Sequence, residues 1–150
     1  MSELVSIVYK PQDVDEPVSG YTRVPLQEAR LIEGYGIEGD GKGGVSGRNL
    51  NLMSAESVRG LAQEGFRTGP GQLGEQLIIG GLDVDALPGG TRLQIGETAC
   101  VELTKPRTGC ATFERHQDKL RQEAAGRMGM MAQVIVGGTI RVGDPVLVLD

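Results

Sequence analysis

The sequence predicts a single mainly β domain over residues 1–150, shaped like a β-barrel, with two or so short helices. Three observations predict it: short apolar runs recur along the chain, glycines separate most of them, and aromatic residues are few. Glycine occupies 24 of the 150 positions, against three tyrosines, two phenylalanines and no tryptophan. Since glycine adopts the positive φ angles of tight turns, this pattern favours many short strands joined by sharp corners around an aliphatic core.

The predicted strands follow the apolar runs and their polar–apolar alternation. They cover residues 4–9, part of 24–32, 49–53, 76–79, 91–95, 98–104, 134–136, 139–142 and 146–149. Gly96-Glu97 predicts a hairpin with a type II′ turn, and Gly137-Gly138 predicts a second hairpin. Polar residues 12–21 and the glycine-rich stretch 34–44 are expected to be loops.

Two helices are expected. Ser54 is suited to cap a helix over residues 55–64, which Gly65 would end. A second helix is predicted over residues 112–125, directly after a loop that ends in Cys110.

Charge and cysteine content exclude several classes of protein. The net charge of −5 argues against a nucleic-acid-binding protein. No apolar run approaches the about 18 residues of a membrane span, and the N-terminus does not resemble a secretion signal, so no membrane partner is expected. Two cysteines are too few for a disulfide scaffold, and a cytoplasmic location is the expectation.

The two cysteines have different surroundings. Cys100 lies inside a predicted strand and is interpreted as a small buried hydrophobe. Cys110 follows Lys105 and Arg107 and stands before a predicted helix. Positive charge and a helix N-terminus both stabilise a thiolate, the form of cysteine that attacks, carries sulfur or binds metal. An ordinary loop cysteine is the competing interpretation.

Other candidate residues are less distinctive. His116 is the only histidine, which excludes multi-histidine zinc sites, and it is expected to be a solvated helix residue. Lys42 lies in the glycine-rich loop and Arg48 follows it, and both could hold an anion together with the backbone amides of the loop; a mobile surface loop is the alternative. The local sequence around Glu75 does not indicate whether this residue has a functional role.

The segments together resemble the MOSC family, the domain named for the C-terminal part of molybdenum-cofactor sulfurase. No single segment is specific, but their order along the chain is. The matching segments are residues 36–40, 48–56, 70–77, 80–82, 87–89, 93–96, 103–110 and 134–144.

The resemblance implies a β-barrel-like fold with a pocket for molybdenum cofactor (molybdopterin), and it places the hallmark cysteine of the family on Cys110. In the family this cysteine is proposed to carry sulfur as a persulfide or to ligate molybdenum. Arg48 and Glu75 match the recurring polar pattern of the family. The chain departs from that pattern where Lys42 replaces a usual histidine and Gln76 replaces a usual asparagine.

Three functional hypotheses follow. In the first, Cys110 is a persulfide carrier or molybdenum ligand, with Lys42, Arg48, Glu75 and Arg107 binding the cofactor. A separate cysteine desulfurase would supply sulfur, because no bound pyridoxal phosphate is expected in this domain. In the second, the chain is a non-catalytic module that binds or delivers molybdopterin or a related anion. In the third, it is a degenerate family member that acts as a protein-interaction domain.

Overall fold

The structure is a computed structural model that describes residues 1–12 and 22–149. Most of the predicted loop over residues 12–21 therefore lies outside the described residues. Eleven strands are found among them: β1 Glu3–Tyr9, β2 Val24–Leu26, β3 Glu28–Ile32, β4 Gly36–Ile37, β5 Leu50–Ser54, β6 Leu77–Gly80, β7 Arg92–Ile95, β8 Ala99–Pro106, β9 Met130–Val136, β10 Gly138–Arg141 and β11 Val146–Leu149. The helices are α1 Ala55–Gln63 and α2 Ala111–Gln117, with 3₁₀ turns at Val84–Ala86 and Arg121–Ala124.

The strands form two sheets. The larger has eight strands in the order β11-β7-β8-β9-β5-β6-β1-β2, and the smaller has the order β10-β3-β4. Among the described strands, β5 and β6 are the one parallel pair; the other pairs are antiparallel. The prediction of a mainly β domain with two short helices is confirmed.

The strand pairing does not close into the expected barrel. Near β11 the amide of Leu4 donates to the Asp144 carbonyl (2.8 Å), and the amide of Val146 donates to the Ser2 carbonyl (3.0 Å). These bonds join β1 to the start of β11, but β2 and β11 remain the two edges of the sheet. The sheet is therefore open, and a closed barrel is not shown.

The core is aliphatic, as the composition predicts. Leu, Ile and Val side chains from both sheets form its main cluster, which includes Leu4, Leu31, Leu52 and Val101. A second cluster around Phe113, Phe66 and Leu61 attaches the helices and the adjoining loops to the sheet. Phe113 is fully buried, so it anchors α2 three residues after Cys110.

Several local predictions can be compared with these elements. Ser54 does precede α1, but its hydroxyl does not cap the helix; it donates to the Leu82 carbonyl and accepts the amide of Val84 (both 2.7 Å). The strands β7 and β8 pair as a hairpin, although three residues rather than two connect the paired Ile95 and Ala99. The predicted helix over residues 112–125 is wrong beyond Gln117. Its chain turns at Asp118, which adopts a left-handed conformation (φ 55°), before the short 3₁₀ turn.

The predicted hairpin around Gly137-Gly138 is also wrong. Both edges of β9 are already paired, with β8 and with β5, so β10 pairs with β3 in the smaller sheet. Gly137 serves a close approach instead of a turn, because a Cβ there would lie 2.6 Å from the Leu31 carbonyl oxygen.

Two glycines of one loop differ in what a side chain would meet. Gly126 (φ +79°) faces open space, whereas a Cβ on Gly129 (φ +81°) would overlap the Leu52 carbonyl oxygen on β5. We expect Gly126→Ala to lower the free energy of unfolding by about 1 kcal/mol and Gly129→Ala by about 3 kcal/mol or more. Urea denaturation of both variants measures the difference; equal losses would contradict the packing of Gly129 against β5.

Candidate functional site

A pocket of about 220 Å³ lies where loops from four parts of the chain meet the ends of β5 and β9. Among the described residues, the charged side chains that line it are all positive: Arg23, Lys42, Arg48 and Arg107. The thiol-bearing Cys110 lies on the same pocket and is exposed to solvent. The pocket therefore combines a nucleophilic sulfur with a site of positive potential.

Four of the five site residues predicted from the sequence meet at this pocket: Lys42, Arg48, Arg107 and Cys110. They lie in three separate segments of the sequence, and the fold brings them together. Glu75, the fifth, does not line the pocket.

Arg48 is held at the edge of the pocket by its neighbour Gly47. The amide of Gly47 donates to Oε1 of Gln133 on β9 (3.0 Å), and its carbonyl accepts a bond from Oγ1 of Thr104 on β8 (2.6 Å). Two strands of the sheet thus fix the turn that carries Arg48, immediately before β5 begins.

The glycine-rich loop is packed rather than free. A Cβ on Gly43 would lie 2.6 Å from the ring of Tyr35, so the loop closes tightly over that ring. Oδ1 of the fully buried Asp40 accepts the amide of Lys42 (3.1 Å). The loop therefore presents Lys42 to the pocket from a fixed backbone.

Cys110 is the residue immediately before α2. Its carbonyl accepts the amide of Glu114 (3.0 Å), which begins the helix, and its own backbone is extended. The side chain of Arg121 bonds the Glu114 carboxylate (3.0 Å) and lowers the pKa of Glu114. Because the cationic guanidinium of Arg121 pairs with that carboxylate, the two side chains together add little net charge near Cys110. Lys105, expected to supply positive charge to Cys110, lies in β8 and does not line the pocket.

Glu75 supports the pocket from behind. Its carboxylate is 1% exposed and accepts the amides of Gly71 (2.7 Å) and Leu73 (3.2 Å). Arg107 reaches the same loop, since its Nη1 donates to the Leu73 carbonyl (2.6 Å). Burial raises the pKa of Glu75, and the two amides and the charge of Arg107 oppose that rise. Glu75 thus holds the loop against which Arg107 rests.

The single histidine, His116, and the second cysteine, Cys100, are both buried. His116 is buried, with Nε2 2.6 Å from Oε1 of Gln72, so the expectation of a solvated helix histidine is wrong. The contact partner lies 44 residues away in sequence, which local patterning does not reveal. Cys100 is buried in β8, as expected of a small hydrophobic residue.

The described residues were also searched for metal-binding clusters and for membrane-spanning helices. None of their His, Cys, Asp and Glu side chains are grouped in threes or more in a way that could hold a metal ion. None of their helices is long and apolar enough to cross a membrane.

Comparison with known proteins identifies the family. The sequence model of the MOSC domain matches residues 40–147. This chain belongs to the MOSC domain family. The matched segment contains four of the pocket residues predicted from the sequence, Lys42, Arg48, Arg107 and Cys110, but not Arg23. No curated protein matches the chain significantly.

Solved structures share the fold of this MOSC chain. YiiM from Geobacillus stearothermophilus superposes with a TM-score of 0.76 at 22% identity, covering 100% of this chain and 76% of that one. YuaD from Bacillus subtilis gives 0.77 at 18% identity, with coverages of 97% and 94%. YiiM from Escherichia coli gives 0.71 at 24% identity, with coverages of 99% and 70%. At these identities the likeness concerns the fold alone.

The two departures from the usual MOSC pattern both lie on the pocket. Lys42 and Gln76 line it, in place of the histidine and asparagine expected from the family resemblance. The first departure adds a fixed positive charge where a titratable ring would stand. At neutral pH the pocket of this MOSC domain is therefore more strongly cationic than it would be with a histidine in place of Lys42.

Sequence reasoning missed several lining residues of the MOSC pocket. Arg23 precedes β2 and belongs to no motif, and Met131 and Asn51 look like ordinary strand residues. Oδ1 of Asn51 is a buried side-chain acceptor with no hydrogen-bond partner among the described residues, while Nδ2 donates to the Gly74 carbonyl (3.3 Å). Gln76 is a lining residue that the sequence could have revealed, because it departs from the MOSC pattern directly beside the candidate residue Glu75.

The buried carboxyl of Glu75 makes the stability of this domain depend on pH. Because its folded-state pKa is raised, its contribution is complete below the unfolded-state pKa of about 4.3 and is lost as pH rises through the folded value. We expect the free energy of unfolding of the wild type, minus that of Glu75→Gln, to fall as pH increases from 4 through that interval. Urea denaturation across a pH series measures this difference. A difference that does not change with pH would show that burial does not raise the pKa of Glu75.

Proposed function

We propose that this MOSC domain binds molybdopterin or a closely related anion in the cationic pocket, with Cys110 carrying sulfur as a persulfide or ligating molybdenum. One observation carries the proposal: the exposed thiol of Cys110 shares a pocket with four cationic side chains, Arg23, Lys42, Arg48 and Arg107. The family supports the same conclusion at a coarser level, since MOSC domains are associated with molybdenum-cofactor systems.

The pocket residues fit the chemistry of such a ligand. Guanidinium and ammonium groups bind phosphate through charge-assisted hydrogen bonds. Cys110 and Met131 provide soft sulfur atoms at the same pocket. Among the described residues, no donor pairs with the buried Oδ1 of Asn51, a further polar atom of the residues that line the pocket. The donor set therefore fits a phosphorylated, sulfur-bearing ligand.

Sulfur carriage needs only one step at Cys110. The thiolate attacks the outer sulfur of a persulfide on a separate cysteine desulfurase, and a new S–S bond forms on Cys110. The S–S bond of the donor breaks, and the donor cysteine leaves as a thiolate, so the step consumes no oxidant or reductant. The thiolate is the form of Cys110 that this step uses.

Metal ligation uses the same thiolate in another role. The bound cofactor would supply the molybdenum and its redox chemistry. Cys110 would contribute one sulfur ligand, and the cations would hold the phosphate end. The cofactor itself would supply further ligands of the metal.

A non-catalytic binding or delivery module is the second candidate. It is favoured by the number of cationic side chains, since four such groups on one pocket can hold an anion without any contribution from the thiol. The two candidates differ in what happens when Cys110 is removed.

The role of Cys110 can be measured with Cys100→Ala as a matched control, because Cys100 is buried in β8 away from the pocket. We expect Cys110→Ala to abolish persulfide formation when the protein is incubated with a cysteine desulfurase and cysteine, and to weaken binding of the molybdenum-loaded cofactor at least about tenfold if the thiol ligates the metal. Cys100→Ala should retain both. Mass spectrometry of the Cys110 peptide detects the added sulfur, and equilibrium dialysis measures the binding.

The outcomes separate the hypotheses. Equal molybdopterin binding by wild type and Cys110→Ala, with no persulfide on either, would leave the delivery module as the function. No binding and no persulfide on the wild type would remove molybdopterin chemistry and favour a protein-interaction domain.

The anion site can be tested at Arg48, with Arg59→Ala as the control. Arg59 is an exposed arginine of α1 whose nearest charged partner is Glu56 in the same helix. We expect Arg48→Ala to weaken molybdopterin binding about tenfold, because one charge-assisted contact to the phosphate is lost, and we expect Arg59→Ala to change it less than twofold. Binding titrations at low and moderate salt provide the measurement. Equal losses in the two variants would indicate a general charge effect.

A further inference from the structure

Two buried polar side chains join the walls of the pocket. Asp40 is 0% exposed and Gln76 is 4% exposed. Nε2 of Gln76 donates to Oδ2 of Asp40 (3.3 Å), and the two residues are 36 positions apart in sequence. Asp40 belongs to the glycine-rich loop, and Gln76 immediately precedes β6.

Each member of this pair also holds the backbone of a pocket residue. Oδ1 of Asp40 accepts the amides of Lys42 and Lys10 (both 3.1 Å). Oε1 of Gln76 accepts the amide of Asn51 (2.7 Å), and the backbone amide of Gln76 donates to the Asn51 carbonyl (3.0 Å). A continuous hydrogen-bonded path therefore connects Lys42 on one wall to Asn51 on the other.

Each hydrogen bond in this path can be made in only one direction, from donor to acceptor. An ionised Asp40 can only accept, so the amide of Gln76 must direct its NH₂ towards Asp40 and its oxygen towards Asn51. Reversing the amide would place a carbonyl oxygen against a carboxylate and an NH₂ against a backbone N–H. Gln76 is thus locked in one orientation by its two neighbours.

We propose that Asp40 and Gln76 are positioning residues that set the relative placement of Lys42 and Asn51, and thereby the affinity of the pocket for anions. The affinity part of this inference rests on the proposed function, in which the pocket binds an anion. Neither residue needs to touch the ligand through its carboxylate or amide; each acts through the pocket residue whose backbone it holds.

Exchanging the two functional groups provides the test. Asp40→Asn places an NH₂ opposite the NH₂ of Gln76, and Gln76→Glu places a carboxylate opposite that of Asp40. The double variant Asp40→Asn/Gln76→Glu restores one donor and one acceptor, keeps the total charge, and still offers acceptors to Lys42 and Asn51. We expect each single variant to weaken binding of inorganic phosphate about tenfold, and the double variant to recover to within about threefold of the wild type.

Long-range charge makes a different prediction. If only net charge near the pocket mattered, Asp40→Asn would bind phosphate more tightly and Gln76→Glu more weakly. That pattern would overturn the inference, as would a double variant that remains as weak as the singles. Gln76→Asn is a second variant without any charge change: its side chain is one methylene shorter and cannot bridge both partners, so we expect it also to weaken phosphate binding.

A matched control lies elsewhere in the fold. Gln94 on β7 is half-buried, and its Nε2 donates to the carbonyls of Gly96 (3.1 Å) and Glu97 (3.3 Å), but it does not line the pocket. Gln94→Glu makes the same chemical change as Gln76→Glu and removes a comparable donor, so we expect it to leave phosphate affinity unchanged. An equal loss of affinity in Gln94→Glu would reduce the effect at Gln76 to general destabilisation and overturn the inference.

Amide hydrogen exchange gives a readout that needs no ligand. We expect the amides of Lys42 and Asn51 to exchange about tenfold faster in both single variants and at the wild-type rate in the double variant, with the β8 amide of Leu103 unchanged throughout. If wild type fails to bind phosphate but exchange follows this pattern, the anion site is wrong and the positioning of Lys42 and Asn51 is supported. Unchanged exchange at both amides in both single variants would overturn the positioning role directly.

Discussion

The parallel pairing of β5 with β6 is the constraint on which the site depends. Parallel neighbours cannot be joined by a tight turn, so the chain must cross over through a dozen or more residues. Here the crossover contains α1 and the loop to residue 76, fixed by buried Leu61, Phe66 and Leu73. It returns beside β5 in the register that pairs Leu52 with Leu77, which places the segment before β6 against the beginning of β5. One strand pairing thus creates the floor of the pocket.

The site divides its work between the sheet and the loops. Strands supply Leu50, Asn51 and Met131 to the lining, whereas loops supply the positive charges and the thiol. Four cations around one pocket repel each other, and that repulsion is a free-energy cost to the folded state. Two buried carboxyl groups, Asp40 and Glu75, lie behind the lining; where ionised, they offset part of this repulsion without occupying the space for a ligand.

Local sequence patterns predicted much of this architecture and part of its site. The position of Cys110 before a helix, the capping position of Ser54 and the β7–β8 hairpin follow from residues close together in the chain, and the family resemblance connected Arg48 with Cys110. What sequence could not provide were partners. Alternation indicates that 138–141 is a strand but not that it pairs with β3, and no short motif marks Arg23 or Asn51 as pocket residues. The break at Asp118 was missed because a left-handed aspartate leaves no signal comparable to glycine.

The placement of β9 has a consequence for how the protein is made. This strand fills the gap between β5 and β8, and β10 then pairs with β3 across about a hundred residues of intervening chain. The entropy cost of closing such long loops is incurred before the strand contacts that offset it have formed. We therefore expect folding to be slow for a domain of this size. During synthesis, β5 and β8 both leave the ribosome before β9, the strand that lies between them in the sheet. Until β9 follows, each has an unpaired edge that is able to pair with another chain.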